Sequence, residues 1–182
     1  MKSIILFASA LVLILRNSAF ASGSLEDTCK KVQASDPNDK YEFCITSLQV
    51  VPESRTANLS QLTIIATQLS IKNYTHTLGV IAQLLKNHSL SHWQKEALET
   101  CQESYNSGVD DSKDAIKDVK AGDIFGASAS LSAAAGAPGD CEDAFSEGEE
   151  ASLLPREDDL ASKISALAID IVALLKSKSS IP

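Results

Sequence analysis

Basic residues are in the minority in this 182-residue chain: 16 Lys and Arg stand against 24 Asp and Glu, for a net charge of −8. A nucleic-acid binder needs a basic face, and an acidic excess repels phosphate, so that class is excluded. Aromatic residues are scarce at 5%, which leaves the core to aliphatic side chains. Eight glycines and five prolines are too few for a collagen-like or Pro/Gly-rich disordered chain. The signatures of common catalytic sites are missing too: no H-E-x-x-H, no G-x-S-x-G, no P-loop and no G-x-G-x-x-G occurs. Nor do the cysteines and histidines follow zinc-ligand spacing. His88 and His92 stand one helical turn apart, without neighbouring carboxylates or cysteines at ligand spacing. The chain reads as a non-enzyme with no cofactor and no metal.

Only one long apolar run is present, and it lies at the start. Lys2 precedes the run from Ile4 to Leu15, and Ala19-Phe20-Ala21 supplies a small-x-small pattern. The run is too short for a bilayer, which needs roughly 20 residues. It predicts a secretory signal peptide over residues 1–21, cleaved after Ala21. The remaining residues, 22–182, carry 14 basic and 24 acidic side chains, a net −10. That length suits a single domain. Secretion to the cell exterior or wall space follows, with no membrane attachment of the mature chain.

All four cysteines, Cys29, Cys44, Cys101 and Cys141, lie in the mature chain. An even number in a secreted protein predicts disulfides. Four cysteines allow three pairings; proximity favours Cys29–Cys44 and Cys101–Cys141, and the sequence alone does not choose.

Helical spacing dominates the mature chain. Leu59, Leu62, Ile65, Ala66 and Leu69 fall on one helical face, as do Leu78, Ile81, Ala82 and Leu85. Trp93, Ala97, Cys101 and Tyr105 form another stripe, with Gly108 as a C-cap, and Ile116 and Val119 mark a separate polar helix ending before Gly122. Leu131, Ala134 and Ala135 belong to a small-residue helix stopped by Gly136-Ala-Pro-Gly139. The last helix carries a broad stripe from Leu160 to Leu175. Pro155 suits its first position, Glu157, Asp158 and Asp159 crowd its start, and Lys176 and Lys178 crowd its end. Amphipathic helices bury their stripes by packing together. The expected fold is all-α: an antiparallel bundle of these helices, with the less periodic segment from Thr28 to about Val51 as short helices attached as an appendage, its pieces bounded by Pro37 and Pro52. The adjacent carboxylates Asp110-Asp111, Glu149-Glu150 and Asp158-Asp159 read as solvated acidic faces, since sequence neighbours on a helix do not face each other. His76, His88 and His92 read as exposed polar positions. N-x-[ST] sequons at Asn58, Asn73 and Asn87 are candidate glycan sites, with Asn87 favoured because it falls in a loop.

The cysteine frame and its neighbours are recognisable: Cys29-Lys30-Lys31, Tyr41-x-x-Cys44, Leu98-x-x-Cys101-x-x-x-Tyr105, Ser132-Ala133-Ala134, and Cys141-Glu142-Asp143-x-Phe145. Over nearly the whole mature chain this resembles the plant invertase and pectin methylesterase inhibitor family. The Thr28-Cys29-Lys30-Lys31-Val32 opening is most similar to its plane-tree pollen allergen branch. The resemblance implies an all-α fold with an N-terminal helical hairpin over about 28–52 followed by an antiparallel four-helix bundle over about 56–178, and the disulfides Cys29–Cys44 and Cys101–Cys141. It also implies a one-to-one, non-covalent complex that blocks a plant carbohydrate-active enzyme. Tobacco-type invertase inhibitors carry Pro-Lys-Phe after a Gly-Asp, a tripeptide that enters the enzyme's cleft; here Gly122-Asp123 is followed by Ile124-Phe125-Gly126. Methylesterase inhibitors use outer faces of bundle helices, which here fall on polar positions between about Gln61 and Gln102, with Gln68, Lys72, His76 and Gln83 as candidates. Many of them also carry a fifth cysteine in the last helix, about where Ser165 stands. Because Pro and Lys are missing, pectin methylesterase is the leading target and acid invertase the alternative, with Asp123, Ile124 and Phe125 as candidate contacts for the latter. Two further readings are a carrier of an apolar ligand between the helices and a secreted allergen with no enzyme target.

Overall fold

A computed structural model describes residues 25–35 and 40–179. The expected signal peptide over residues 1–21, its expected cleavage point at Ala21, and Pro37 lie outside the described residues. Helices account for all the regular structure in the described part: α1 (Leu25–Ser35), α2 (Lys40–Leu48), a 3-10 turn (Pro52–Arg55), α3 (Leu59–Leu84), α4 (His92–Ala121), α5 (Ile124–Ala134), α6 (Ala137–Glu147) and α7 (Pro155–Ser179).

The helix ends follow local chemistry. Asn58 starts α3 with a capping box: its side chain accepts from the Gln61 N–H at 3.0 Å, and the Asn58 N–H donates to Gln61 Oε1 at 2.8 Å. Ser91 and Gln94 repeat the device at the start of α4. That helix ends at Gly122, whose φ of 80° is the left-handed conformation glycine adopts without strain. Asp123 then caps α5 by accepting from the Gly126 N–H at 2.8 Å. Within α3, the hydroxyls of buried Thr63, Thr67, Ser70 and Thr77 donate to carbonyls one turn back. This is how a helix can bury short polar side chains.

α3 packs on both α4 and α7, and α5 and α6 each pack on α4 and α7. The bundle therefore has four columns, the third being α5 and α6 end to end. The sequence expectation that Gly136-Ala-Pro-Gly139 stops a helix is met only in part. Ala135 and Gly136 keep right-handed helical dihedrals but form a turn that interrupts the helix, the Gly136 N–H donating to the Ala133 carbonyl three residues back, and α6 begins at once with Pro138 in its first turn, where a missing N–H costs nothing.

Gly108 differs more. It caps nothing, because α4 runs unbroken for 30 residues and absorbs the polar helix expected around Ile116. Gly108 is buried where α4 meets Tyr74 of α3: a Cβ there would lie 3.0 Å from Tyr74 Cε2. The glycine is required by close approach of two helices, not by a turn.

The core has two layers. One joins Leu62, Ile65, Ala115, Leu167 and Ile171 to Leu25, Cys29, Val32, Cys44 and Leu48 of the hairpin. The hairpin is thus part of the core at that end rather than an appendage. The other layer holds Tyr74, Ile81, Leu98, Cys101, Tyr105, Cys141, Phe145 and Leu154. Disulfides Cys29–Cys44 and Cys101–Cys141 have Cα separations of 5.6 and 4.4 Å. The first ties α1 to α2 and the second ties α4 to α6, the pairing that proximity favoured and the family resemblance implied.

Candidate functional site

The polar positions singled out on α3 fall together. Gln68, Lys72, His76 and Gln83 are all exposed. Their spacing of four, four and seven keeps them on one helical face. The opposite face carries Thr63, Thr67, Ser70, Tyr74, Thr77 and Ile81, all buried. The exposed stripe is about 22 Å long at 1.5 Å per residue, backed by a packed core.

The α4–α5 corner forms a second feature. Asp123 is exposed and engaged as a cap; Ile124 turns inward and packs on the first core layer. Phe125 points out, 72% exposed. The Lys176 ammonium, from the end of α7, lies 5.1 Å from the centre of its ring, a cation–π arrangement. Sequence reasoning placed Lys176 only as a helix-dipole partner. Its approach to Phe125 depends on the bundle returning α7 to the corner, for which the sequence carries no local signal.

At the opposite end, Trp93 does not join the buried stripe of Ala97, Cys101 and Tyr105. It is 56% exposed and lines a groove of about 380 Å³ between α4 and α6 with Glu96, Glu99, Glu103 and Glu147. His92 opens α4 and pairs with Glu96 at 3.3 Å, whereas His88 lies in the preceding loop, so the two are not on one helix. Among the described residues no group of three or more His, Cys, Asp or Glu is placed to hold a metal ion.

The sequons separate by burial. Asn58 is exposed and caps α3, Asn87 is exposed in the α3–α4 loop, and Asn73 is 8% exposed inside the bundle. The Asn73 side-chain oxygen is itself buried.

Asp158 also departs from the sequence reading. It is 3% exposed, not part of a solvated face with Asp159. Tyr105 donates its phenol hydrogen to Asp158 Oδ1. Burial first, and then Glu142 of α6, push the Asp158 carboxyl up to about 8. Burial likewise raises the Tyr105 phenol. A run of three acids gives no sign of which one faces inward.

The described residues thus form a disulfide-stapled helical scaffold that carries a polar stripe on α3 and an exposed aromatic at the α4–α5 corner.

Comparisons with known proteins agree on what that scaffold is. Residues 23–171 match the family described as plant invertase/pectin methylesterase inhibitor. A Platanus acerifolia protein named "Putative invertase inhibitor" is 30% identical over 165 residues, 90% of this chain and 92% of that one. Pectinesterase inhibitor 12 of Arabidopsis thaliana is 32% identical over 164 residues, 90% of this chain and 94% of that one. The crystal structure of a mutant form of an Arabidopsis pectin methylesterase inhibitor superposes with a TM-score of 0.67 at 18% identity, covering 82% of this chain and 95% of that one. The extent of these matches, together with the two disulfides and the all-helical bundle, shows that the chain belongs to the plant invertase/pectin methylesterase inhibitor family.

Proposed function

We propose that this chain is a secreted inhibitor that binds a plant pectin methylesterase one-to-one and covers its substrate groove. The observation that carries the reading is the exposed stripe Gln68, Lys72, His76 and Gln83 on a helix whose other face is locked into the core. A stripe fixed by packing and a stapled fold loses little conformational entropy on docking, which leaves more of the contact energy as affinity. The mature net charge of −10 speeds encounter with a basic partner without fixing the register. Of the three sequons, Asn87 is the proposed glycan carrier, because it is exposed and lies at the loop end away from the middle of the stripe.

Acid invertase is the second reading, favoured by the α4–α5 corner. Pro and Lys are missing beside Asp123, yet exposed Phe125 is presented with the Lys176 ammonium over its ring. An aromatic and a cation therefore stand together there, supplied by two helices rather than one tripeptide.

The experiment is an inhibition titration of the oxidised mature chain at mildly acidic pH, run against a pectin methylesterase and, separately, a cell-wall invertase. Saturating loss of methylesterase activity near equimolar inhibitor, abolished by Lys72→Glu with His76→Glu, supports the lead reading. Loss of invertase activity instead, abolished by Phe125→Ala with Lys176→Ala, selects the second. Activity of both enzymes unchanged refutes both and returns the carrier and allergen readings.

A further inference from the structure

Asp158 lies in the first turns of α7, and three elements bring groups to it. From α4, the Tyr105 phenol donates to its Oδ1. From α6, Glu142 comes within hydrogen-bonding reach. From α3, Tyr74 packs its ring edge-on against Tyr105 at 5.3 Å and spends its own hydroxyl on the Ala134 carbonyl at 2.9 Å. On α7 itself the nearest charged neighbour is Glu157. Every ionisable group facing Asp158 is thus acidic or phenolic. Among the described residues no Lys, Arg or His forms an ion pair with Asp158 or Glu142.

Two oxygens remain unaccounted for. Asp158 Oδ2 and Glu142 Oε1 are both buried and neither has a donor. Ionised carboxylates only accept, and two of them with buried oxygens near each other repel. One proton held between them removes the repulsion and supplies the missing donor. Two of the three walls around that proton are fixed to each other, whereas α7 carries no cysteine and is held there by noncovalent contacts alone. Cys141 precedes Glu142, Cys101 lies one turn before Tyr105, and the disulfide between them holds α4 against α6.

We propose that Asp158 and Glu142 share one proton as a latch between α6 and α7, so that the bundle is most stable in mildly acidic surroundings and opens at the start of α7 when that proton is lost. The sign follows from linkage. An unfolded aspartate titrates near about 4, whereas the folded group does so near 8. Between these limits the folded chain holds one more proton than the unfolded chain. The latch's contribution is fully present below the lower limit and is lost as pH rises toward the upper one, at up to about tenfold in the folded-to-unfolded ratio per pH unit.

The test uses the full oxidised chain. The single tryptophan is a local reporter, because Trp93 packs against Gly148 on the segment leading into α7: a Cβ on Gly148 would lie 3.1 Å from Trp93 Cβ. Thermal midpoints and Trp93 emission are followed from pH 4.5 to 9 for the parent, Asp158→Asn and Glu142→Gln. In Asp158→Asn the amide accepts from Tyr105 and donates to Glu142, imitating the protonated acid permanently. Its stability should stay flat where the parent's falls by up to about tenfold per pH unit, and the parent's emission change near pH 8 should vanish. In Glu142→Gln the amide donates to ionised Asp158, so the emission change should move to lower pH. A parent-like slope in Asp158→Asn overturns the latch. If Asp158→Asn does not fold, Glu142→Gln decides, and an unmoved transition there overturns it equally.

Discussion

Replacing Gly79 and Gly108 by alanine should shift stability in opposite directions, although both lie in mid-helix. Gly79 is exposed on α3, and a Cβ built there meets nothing within 4 Å. Alanine then gains only its helix propensity, about 1 kcal/mol. At Gly108 the same gain meets a steric cost. The new Cβ would lie 3.0 Å from Tyr74 Cε2, 3.2 Å from Tyr74 Cδ2 and 3.2 Å from Ala137 Cβ, inside the roughly 3.5–4.0 Å of favourable carbon contact. Tyr74 has little freedom to withdraw. It is fully buried, its hydroxyl is bonded to the Ala134 carbonyl and its ring is packed on Tyr105. Overpacking of this kind costs about 1–3 kcal/mol, so Gly108→Ala should be destabilising by about 1 kcal/mol net. The two variants should differ by about 2 kcal/mol, or roughly 4–8 °C in Tm for a chain of this size. Calorimetric melting of the oxidised chain at pH 5 reads this directly. Equal upward shifts in both variants would refute the reasoning, since they would mean that α3 and α4 yield to a methyl group at their closest approach.

Other outcomes follow from the same geometry. Losing Cys101–Cys141, which spans 40 residues, should cost about 4 kcal/mol, against about 3 for Cys29–Cys44, which spans 15; melting of the two double Cys→Ala variants gives the order. Asn58→Ala removes the side-chain acceptor of the α3 capping box and leaves the backbone N–H bond to Gln61 Oε1; it should lower stability by about 1 kcal/mol, with Asn58→Asp recovering most of it. On protein secreted from plant cells, Asn87→Gln should remove one glycan mass, while Asn73→Gln should leave the mass of attached glycan unchanged; intact-mass spectrometry distinguishes them.

Much of the architecture was legible because it rests on local rules. α7 was readable in its bounds and its middle: Pro155 opens it, acids and lysines occupy its two ends, and Leu167, Ala168, Ile171 and Val172 are buried as their spacing required, whereas Leu160, read as the start of the same stripe, is 42% exposed on the first turns. Gly122 was legible as a helix end because a left-handed residue favours glycine. The misread positions share a different cause. Gly108 looked like a stop signal because a sequence does not distinguish a glycine needed for φ from one needed for proximity. Trp93 shares helical phase with Cys101, but it lies on the first turn of α4, beyond the reach of the layer that covers Cys101. Asp158 looked solvated because its neighbours are. The candidate contacts on α3 were legible as polar positions in an apolar rhythm, whereas the pairing of Phe125 with Lys176 was not.

The sequence by itself determined the helical class and the family, since these depend on periodicity, cysteine frame and motif spacing along one chain. Only the tertiary structure decided that Gly108 is a contact point, that Asp158 faces Tyr105 and Glu142, and that a lysine from the last helix covers Phe125. Each of these depends on which side chain arrives from another helix. Burial, not sequence neighbourhood, then sets whether a carboxyl keeps its proton.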